Sequence, residues 1–547
     1  MSVRILAMFV ALAPVRVVAQ APAINPATIA RIDSLFSKYN KPGSPGCALG
    51  VSRHDSVALE RAWGNANLEF AVPVSPATKF EAGSVSKQFT AAAILRLAQQ
   101  GKLSLDDDIR KYVPEVPKYD QVITVRHLIH HMSGLRDWGT VMSFAGWPRG
   151  TRTYTQAHVL DILSRQHGLN YPVGAEYLYS NSNYNLLAMI AERVSGQSLP
   201  EFTRKEFFEP LGMTSTSWRD DYARVVPGRA QAYSQSGGSW RLDMPFENVY
   251  GNSSLITTVG DLLKWNANLG SMKVGGPEFV ASQLRRGKLT NGRQISYAGG
   301  LFVVDQPGKR EIWHDGATAG YRAFLIRYPD AGYAIALLCN AGDANPGQLG
   351  RQVATMIDPS LAPAAPSMDT VGVAVPAARL ASFARNFRSS TSDDPLSFVV
   401  DRQRFRIADG PVLTAVNDHE FKTFSGRSHF LFDAPASGEV RRVRVWADDG
   451  DTTDFVPAGE AKPANLKEYE GRYSSTDAEA DFVLKVEKDT LFLTSRPNTR
   501  ITMRPVYRDG FVVLGSTVRF TRGANGRIDG FLATSGRARR VRFDRAR

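Results

Sequence analysis

The chain has 547 residues, 43% hydrophobic and 22% charged, a globular composition too long for one ordinary domain. Its formal net charge is +13, which implies weak attraction to anionic surfaces. By itself that charge does not indicate a nucleic-acid binder, which clusters its charge with suitable aromatics, and two cysteines are too few for a disulfide scaffold or a structural-metal framework.

In chain order, the N-terminus reads as an export signal. Arg4 precedes an apolar run from Ile5 to Ala13, and Val17-Val18-Ala19 offers small residues for cleavage before Gln20. Residues 1–19 are thus expected to be a signal peptide, and the mature protein to be periplasmic or secreted. The run is too short for a permanent membrane anchor, and no later segment reaches that length.

Residues 20–357 alternate helical and strand-like patterns. "CALGVS", "RAFLIRY" and "YAIALLC" have the apolar content of a central sheet. Cys47 and Cys339 lie in two of these strands and read as buried thiols or, in an exported chain, as a pair that can be joined. One helix is expected from Ser84 to about Gly101, and a second after "YSNS" up to Gly196. A third opens at Ser198-Leu-Pro-Glu201, with capping-box spacing.

His127, His130 and His131 are grouped in "RHLIHHMSGL", but packing explains them better than a metal. Asp106 to Asp108 start a helix rather than bind calcium, and Trp63, Trp138 and Trp147 line core or cleft.

A Pro- and Ala-rich stretch, 358–376, reads as a linker. Beyond it come short strands with period-two alternation. Leu380, Phe383 and Phe387 recur at a constant offset as Leu466, Tyr469 and Tyr473, so two small β-barrel-like domains are expected, at 377–457 and 464–547. Asn525-Gly526 suits a tight type I′ hairpin turn. The six arginines between Arg537 and Arg547 read as a solvated last strand, with a polyanion-binding tail as the alternative.

Three short motifs carry chemistry. In "SVSK", Ser84 and Lys87 are three apart and share one helical face at the positive end of the helix dipole. A serine there can act as a nucleophile, with its own N–H donating to an oxyanion and a desolvated lysine relaying its proton. Tyr179 and Asn181 in "YSN" precede the second helix. A phenol whose pKa is lowered by Lys87 can serve as base, and an amide can hold substrate. His314-Asp315-Gly316 precedes Ala317 at a strand edge: glycine permits close backbone approach, the Ala317 N–H supplies a second oxyanion donor, and His314 binds or polarises substrate.

Taken together and in this order, the motifs resemble those of the serine β-lactamase and penicillin-recognising hydrolase superfamily, in its class C β-lactamase, D-Ala-D-Ala carboxypeptidase, D-aminopeptidase and esterase branch. "GKLSLDDDIRKYVPEV", "VRHLIHHMSGL" and "GNSSLITTVGDLLKW" agree with it, and the resemblance covers residues 30 to 345. It implies an α/β catalytic domain, with a central antiparallel sheet flanked by helices, ahead of the two β domains. It implies that Ser84 is acylated and water releases the acyl group, with catalytic Ser84, Lys87 and Tyr179, substrate-binding Asn181, His314, Gly316 and Ala317, and neither metal nor cofactor. The substrate it implies is a D-amino-acid peptide, a small ester or a β-lactam. The first and last strands of such a sheet are neighbours, which brings Cys47 towards Cys339.

The third motif departs from the Lys-Thr-Gly or Lys-Ser-Gly of typical β-lactamases. A neutral histidine and an added carboxylate are expected to weaken capture of an anionic substrate, so efficient β-lactamase activity is not expected. A D-aminopeptidase of this superfamily has two similar barrels, one sending a loop to the active site. No such loop can be placed from this sequence, and the β domains equally suit oligomerisation or wall binding. A catalytically weak sensor of wall fragments or β-lactams is the alternative to an enzyme.

Overall fold

A computed structural model describes residues 24–147, 150–363, 372–435, 439–447, 452–461 and 465–546. The expected export signal and the middle of the linker lie outside these residues. None of the described helices is long and apolar enough to cross a membrane.

Six strands form the central sheet: β1 (Cys47–Arg53), β2 (Ser56–Trp63), β3 (Phe302–Gln306), β4 (Lys309–Thr318), β5 (Tyr321–Tyr328) and β6 (Tyr333–Cys339). They run in the order β3-β4-β5-β6-β1-β2, every pair antiparallel. Side-chain alternation sorts the two faces. Cys47, Leu49 and Val51 enter one core with Ile32 of helix α1 (Pro26–Leu35) and Val353 of helix α6 (Pro346–Ile357). Ala48 enters the other core, and Gly50 lies against Val259 and Leu263 of helix α5 (Val259–Ser271).

Cys47 and Cys339 are register partners on β1 and β6 and are joined in a disulfide. Of the two readings left open by the isolated strands, the thiol pair is therefore the linked one. The pairing is set by sheet topology across 292 residues, which no local pattern carries.

Helix α2 (Lys87–Gln99) is buried on nearly every side, with Phe89, Ala91, Ala92, Ala93 and Ile94 fully enclosed. Its small residues let helix α4 (Asn181–Ser195) pack closely. The helix expected from Ser84 divides in two: Gly83–Ser86 is a 3-10 turn, and the α-helix proper starts at Lys87. Gly196, at φ 68°, ends α4, and Ser198 caps the following helix by accepting the Glu201 N–H. Trp63 and Trp138 are core residues, whereas Trp147 is 41% exposed beneath the Arg496 guanidinium.

Eight strands between 386 and 457 make one antiparallel sheet whose end strands, among the described residues, are bridged only through Arg406 and Val412. Eight more, between 471 and 545, close into a barrel. The two repeats play one role in each: Phe383 and Phe387, like Tyr469 and Tyr473, are buried in their own cores. The hairpin expected at Asn525-Gly526 has a wider turn than type I′, because only Gly526 adopts positive φ and Gly523 N–H reaches Arg527 O. The basic stretch from Arg537 is not a tail. It supplies strand β8 (Ala538–Arg545), paired with strand β7 (Ile528–Ser535).

Candidate active site

Ser84 lies on the 3-10 turn ahead of α2. Ser86 Oγ clamps that turn, donating to Gly83 O at 2.6 Å and accepting the Leu255 N–H at 3.0 Å. Strand β4 then crosses the turn at backbone contact. A Cβ added to Gly316 would lie 2.1 Å from Ala82 O, and one added to Gly83, at φ +51°, would lie 2.6 Å from Ala317 N. Glycine at both crossing points therefore lets the Ala317 amide come up beside Ser84.

Lys87 is wholly buried, and its Nζ has three neighbours: Ser84 Oγ at 3.1 Å, Asn181 Oδ1 at 2.9 Å and Asn252 O at 2.6 Å. Burial, and next the Arg537 charge, push its pKa well below the usual lysine range. Asn181 opens α4, and its own N–H is held by Asp137 Oδ2 at 2.7 Å. The other Asp137 oxygen caps helix α3 (Trp138–Ser143) through the Thr140 N–H, so one carboxylate sets two elements.

The Tyr179 ring is enclosed by Lys87 Nζ (4.7 Å from its centroid), His131 (ring centroids 4.4 Å apart) and the Arg537 guanidinium carbon (4.8 Å). Its buried hydroxyl has no hydrogen-bond partner of good geometry among the described residues. Burial raises the phenol pKa, with nearby Ser84 pulling more weakly the other way. The sequence expectation of a phenol depressed by Lys87 is thus reversed. Lysine gives up its proton more readily, and tyrosine keeps its own.

His314 is 1% exposed and held down to about 3, burial being the main cause and Lys87 the next, so it is neutral. Its Nδ1 is 2.5 Å from the Asp315 carbonyl oxygen, which can only accept, so Nδ1 carries the proton. Nε2 then accepts from the Tyr297 hydroxyl at 3.2 Å. Both nitrogens are engaged within the protein, while Asp315 is 66% exposed. The other histidines of the "RHLIHH" stretch also have internal partners. His127 meets Thr124, His130 meets two backbone carbonyls, and His131 Nδ1 meets the Ser180 N–H. Among the described residues no cluster able to hold a metal is present.

Three site residues escaped sequence reasoning: Asn252, Asp137 and Arg537. Asn252 contributes a backbone carbonyl, which leaves no trace in residue type. Asp137 follows "SGLR" and has no motif spacing to Ser84. Arg537 comes from the turn between β7 and β8 of the closed barrel. Its carbonyl accepts from Asp137 N–H at 3.1 Å and Asn170 Nδ2 at 2.9 Å. Arg136, 5% exposed, fastens the same hairpin by donating to the carbonyls of Arg539 (3.1 Å) and Arg540 (2.9 Å).

The family described as Beta-lactamase matches residues 32–355. "Protein flp" of Staphylococcus aureus (strain MRSA252) is 27% identical over 324 residues, which is 57% of this chain and 62% of that protein. Solved structures share the fold, among them these two. An octameric penicillin-binding protein homologue from Pyrococcus abyssi superposes with a TM-score of 0.55 at 18% identity, over 87% of this chain and 98% of its own. D-amino acid amidase from Ochrobactrum anthropi gives 0.50 at 20% identity, over 61% and 98%.

Proposed function

This chain belongs to the beta-lactamase family, and from that premise we propose that it is a serine hydrolase acting through an acyl-enzyme on Ser84. The observation that carries the proposal is the surroundings of Lys87 Nζ. A neutral amine has two N–H groups and one lone pair. Here it meets two oxygens that only accept, Asn181 Oδ1 and Asn252 O, and one hydroxyl, Ser84 Oγ. As an ammonium, Lys87 donates to all three oxygens; once it has lost a proton, its two remaining N–H groups serve the carbonyls and the lone pair is left for the serine proton.

In this reading Lys87 takes the Ser84 proton as Oγ attacks the substrate carbonyl carbon. The oxyanion is held by the N–H groups of Ser84 and Ala317. The Tyr179 phenol passes its hydrogen to the leaving group and takes in exchange the proton that Lys87 received from Ser84, so lysine returns to the neutral amine and no phenolate persists. Water then releases the acyl group. His314 keeps Tyr297 and the edge of β4 in place. The substrate is an amide or ester, with a D-amino-acid derivative favoured by the fold shared with D-amino acid amidase. Export to the periplasm or medium is supported by the disulfide, which persists in oxidising compartments, and by the apolar N-terminal run. The octameric structural neighbour makes self-association part of the same proposal.

Intact-mass spectrometry with a fluorophosphonate, beside hydrolysis of D-alanine para-nitroanilide and of benzylpenicillin, tests the reading. One covalent adduct and anilide turnover are expected. In Ser84→Ala the adduct disappears and turnover falls at least ~10³-fold, with the circular dichroism spectrum unchanged. Turnover that survives the substitution overturns it.

A further inference from the structure

Among the described residues, the cations around Ser84 are spent on close hydrogen bonds or neutral, with one exception. Lys87 has its three internal neighbours, His314 is neutral, and Arg136 is buried on backbone carbonyls and Asp477 Oδ2 (2.8 Å). Arg537 differs. Its guanidinium makes no hydrogen bond among the described residues. It is 43% exposed, and the nearest carboxylate oxygen, Asp137 Oδ2, is 3.9 Å away and already takes the Asn181 N–H. The turn that carries it is anchored through backbone rather than through this side chain. Asn170 Oδ1 also accepts the Arg539 N–H at 2.7 Å, and Arg539 Nη1 reaches Glu176 at 2.8 Å. Such a fixed turn holds a charged fork against the face of Tyr179 with its donors unspent.

We propose that Arg537, delivered by the closed barrel, is a specificity-determining residue that seats an anionic group, a carboxylate, of the substrate bound at Ser84. This rests on the Ser84 reading above and goes beyond it by naming the charge of the substrate and the domain that reads it. A guanidinium fork matches a carboxylate in two parallel hydrogen bonds, and the low-polarity wall of Tyr179 strengthens them. The exposed Asp315 disfavours an anion at its own end of the cleft, so the carboxylate lies towards Arg537. The weak anion capture expected from the His314-Asp315 pair therefore concerns the third motif alone, and the barrel supplies the cation that this motif lacks.

Calorimetric titration of the full chain with phenylboronic acid and 3-carboxyphenylboronic acid tests it. Boron captures the serine oxygen, and the carboxylate reports on Arg537. In the unaltered protein the carboxylated compound should bind at least ~10-fold more tightly. In Arg537→Gln that ratio should fall to about one, with Tm within a few degrees because the turn keeps its backbone bonds. A ratio near one in the unaltered protein, or a preference that persists in Arg537→Gln, overturns the proposal, as does failure of both compounds to bind. Ser84→Ala separates the two readings. Loss of phenylboronic acid binding there supports the nucleophile. Should phenylboronic acid never bind while the carboxylated compound binds in an Arg537-dependent way, the Ser84 reading fails and the Arg537 seat stands.

Discussion

Lys87 has a charge state set by its seat rather than by its type. Enclosed on all sides and facing the Arg537 charge, it releases its proton well below the ordinary lysine value of 10.5. The protonated form has no lone pair for Ser84. Reactivity of Ser84 towards a fluorophosphonate should therefore be low in acid and rise with pH through an apparent pKa below the lysine range. Lys87→Arg, which cannot lose its proton, should abolish that rising limb and slow labelling at least ~10³-fold. A limb unchanged in the variant would assign it to another group. The residues legible in sequence are those whose relations are local. Ser84 and Lys87 are one turn apart, and Tyr179 and Asn181 flank a helix start. Arg537 was legible as a charge but not as a member of the site, since its partners Asp137, Asn170 and Tyr179 stand more than 350 positions away. The direction of the Tyr179 shift also escaped, because burial is a property of the packed site and not of the "YSN" motif.

Among the elements, the crossing of β4 over the Gly83–Ser86 turn decides whether the Ala317 amide reaches Ser84. Gly316 has no positive φ to require glycine, so its need is steric alone: a Cβ there collides with Ala82 O at 2.1 Å. Gly316→Ala should push strand and turn apart, costing about 1–3 kcal/mol of stability in denaturant unfolding and slowing Ser84 labelling by ~10²-fold or more. Equal labelling rates would show that the crossing carries no oxyanion donor. Apolar periodicity and caps made the main helices and sheet strands legible, since those signals lie within one element. The 3-10 start of the Ser84 helix and the widened turn around Gly526 escaped because tertiary contacts bend backbone geometry away from local preference. For the turn at Ser84, those contacts are Leu255 on Ser86 and β4 across Gly83.

In the whole molecule the three units are riveted by buried charge. The Asp393 carboxylate receives Arg388 of the open sheet and Arg519 and Arg540 of the closed barrel, each at 2.9 Å, and Arg540 O in turn accepts from Arg136 of the catalytic unit. The molecule also holds histidines that burial keeps neutral: His130 near 4 and His314 near 3. On unfolding, each takes up a proton below pH 6.5 that the fold refuses. Their contribution is complete above that pH and is lost as pH falls towards the folded values, at about 1.4 kcal/mol per pH unit for each. Urea midpoints measured between pH 7 and 4 should fall accordingly, and the fall should be shallower in His130→Gln; a flat profile would contradict it. The architecture was legible because two repeats and a catalytic signature follow one another along the chain, whereas the contacts that fix the units together join residues hundreds of positions apart. The Cys47–Cys339 link has one further consequence, in the mechanics of the chain. It makes a covalent ring of everything from β1 to β6, including Ser84, Lys87, Tyr179 and Asn181. Tension applied at the two ends bypasses that ring and falls on the β domains and the segments joining them. About 1,000 Å of contour stays locked out of the extending chain, and the hairpin bearing Arg537 lies on the loaded side.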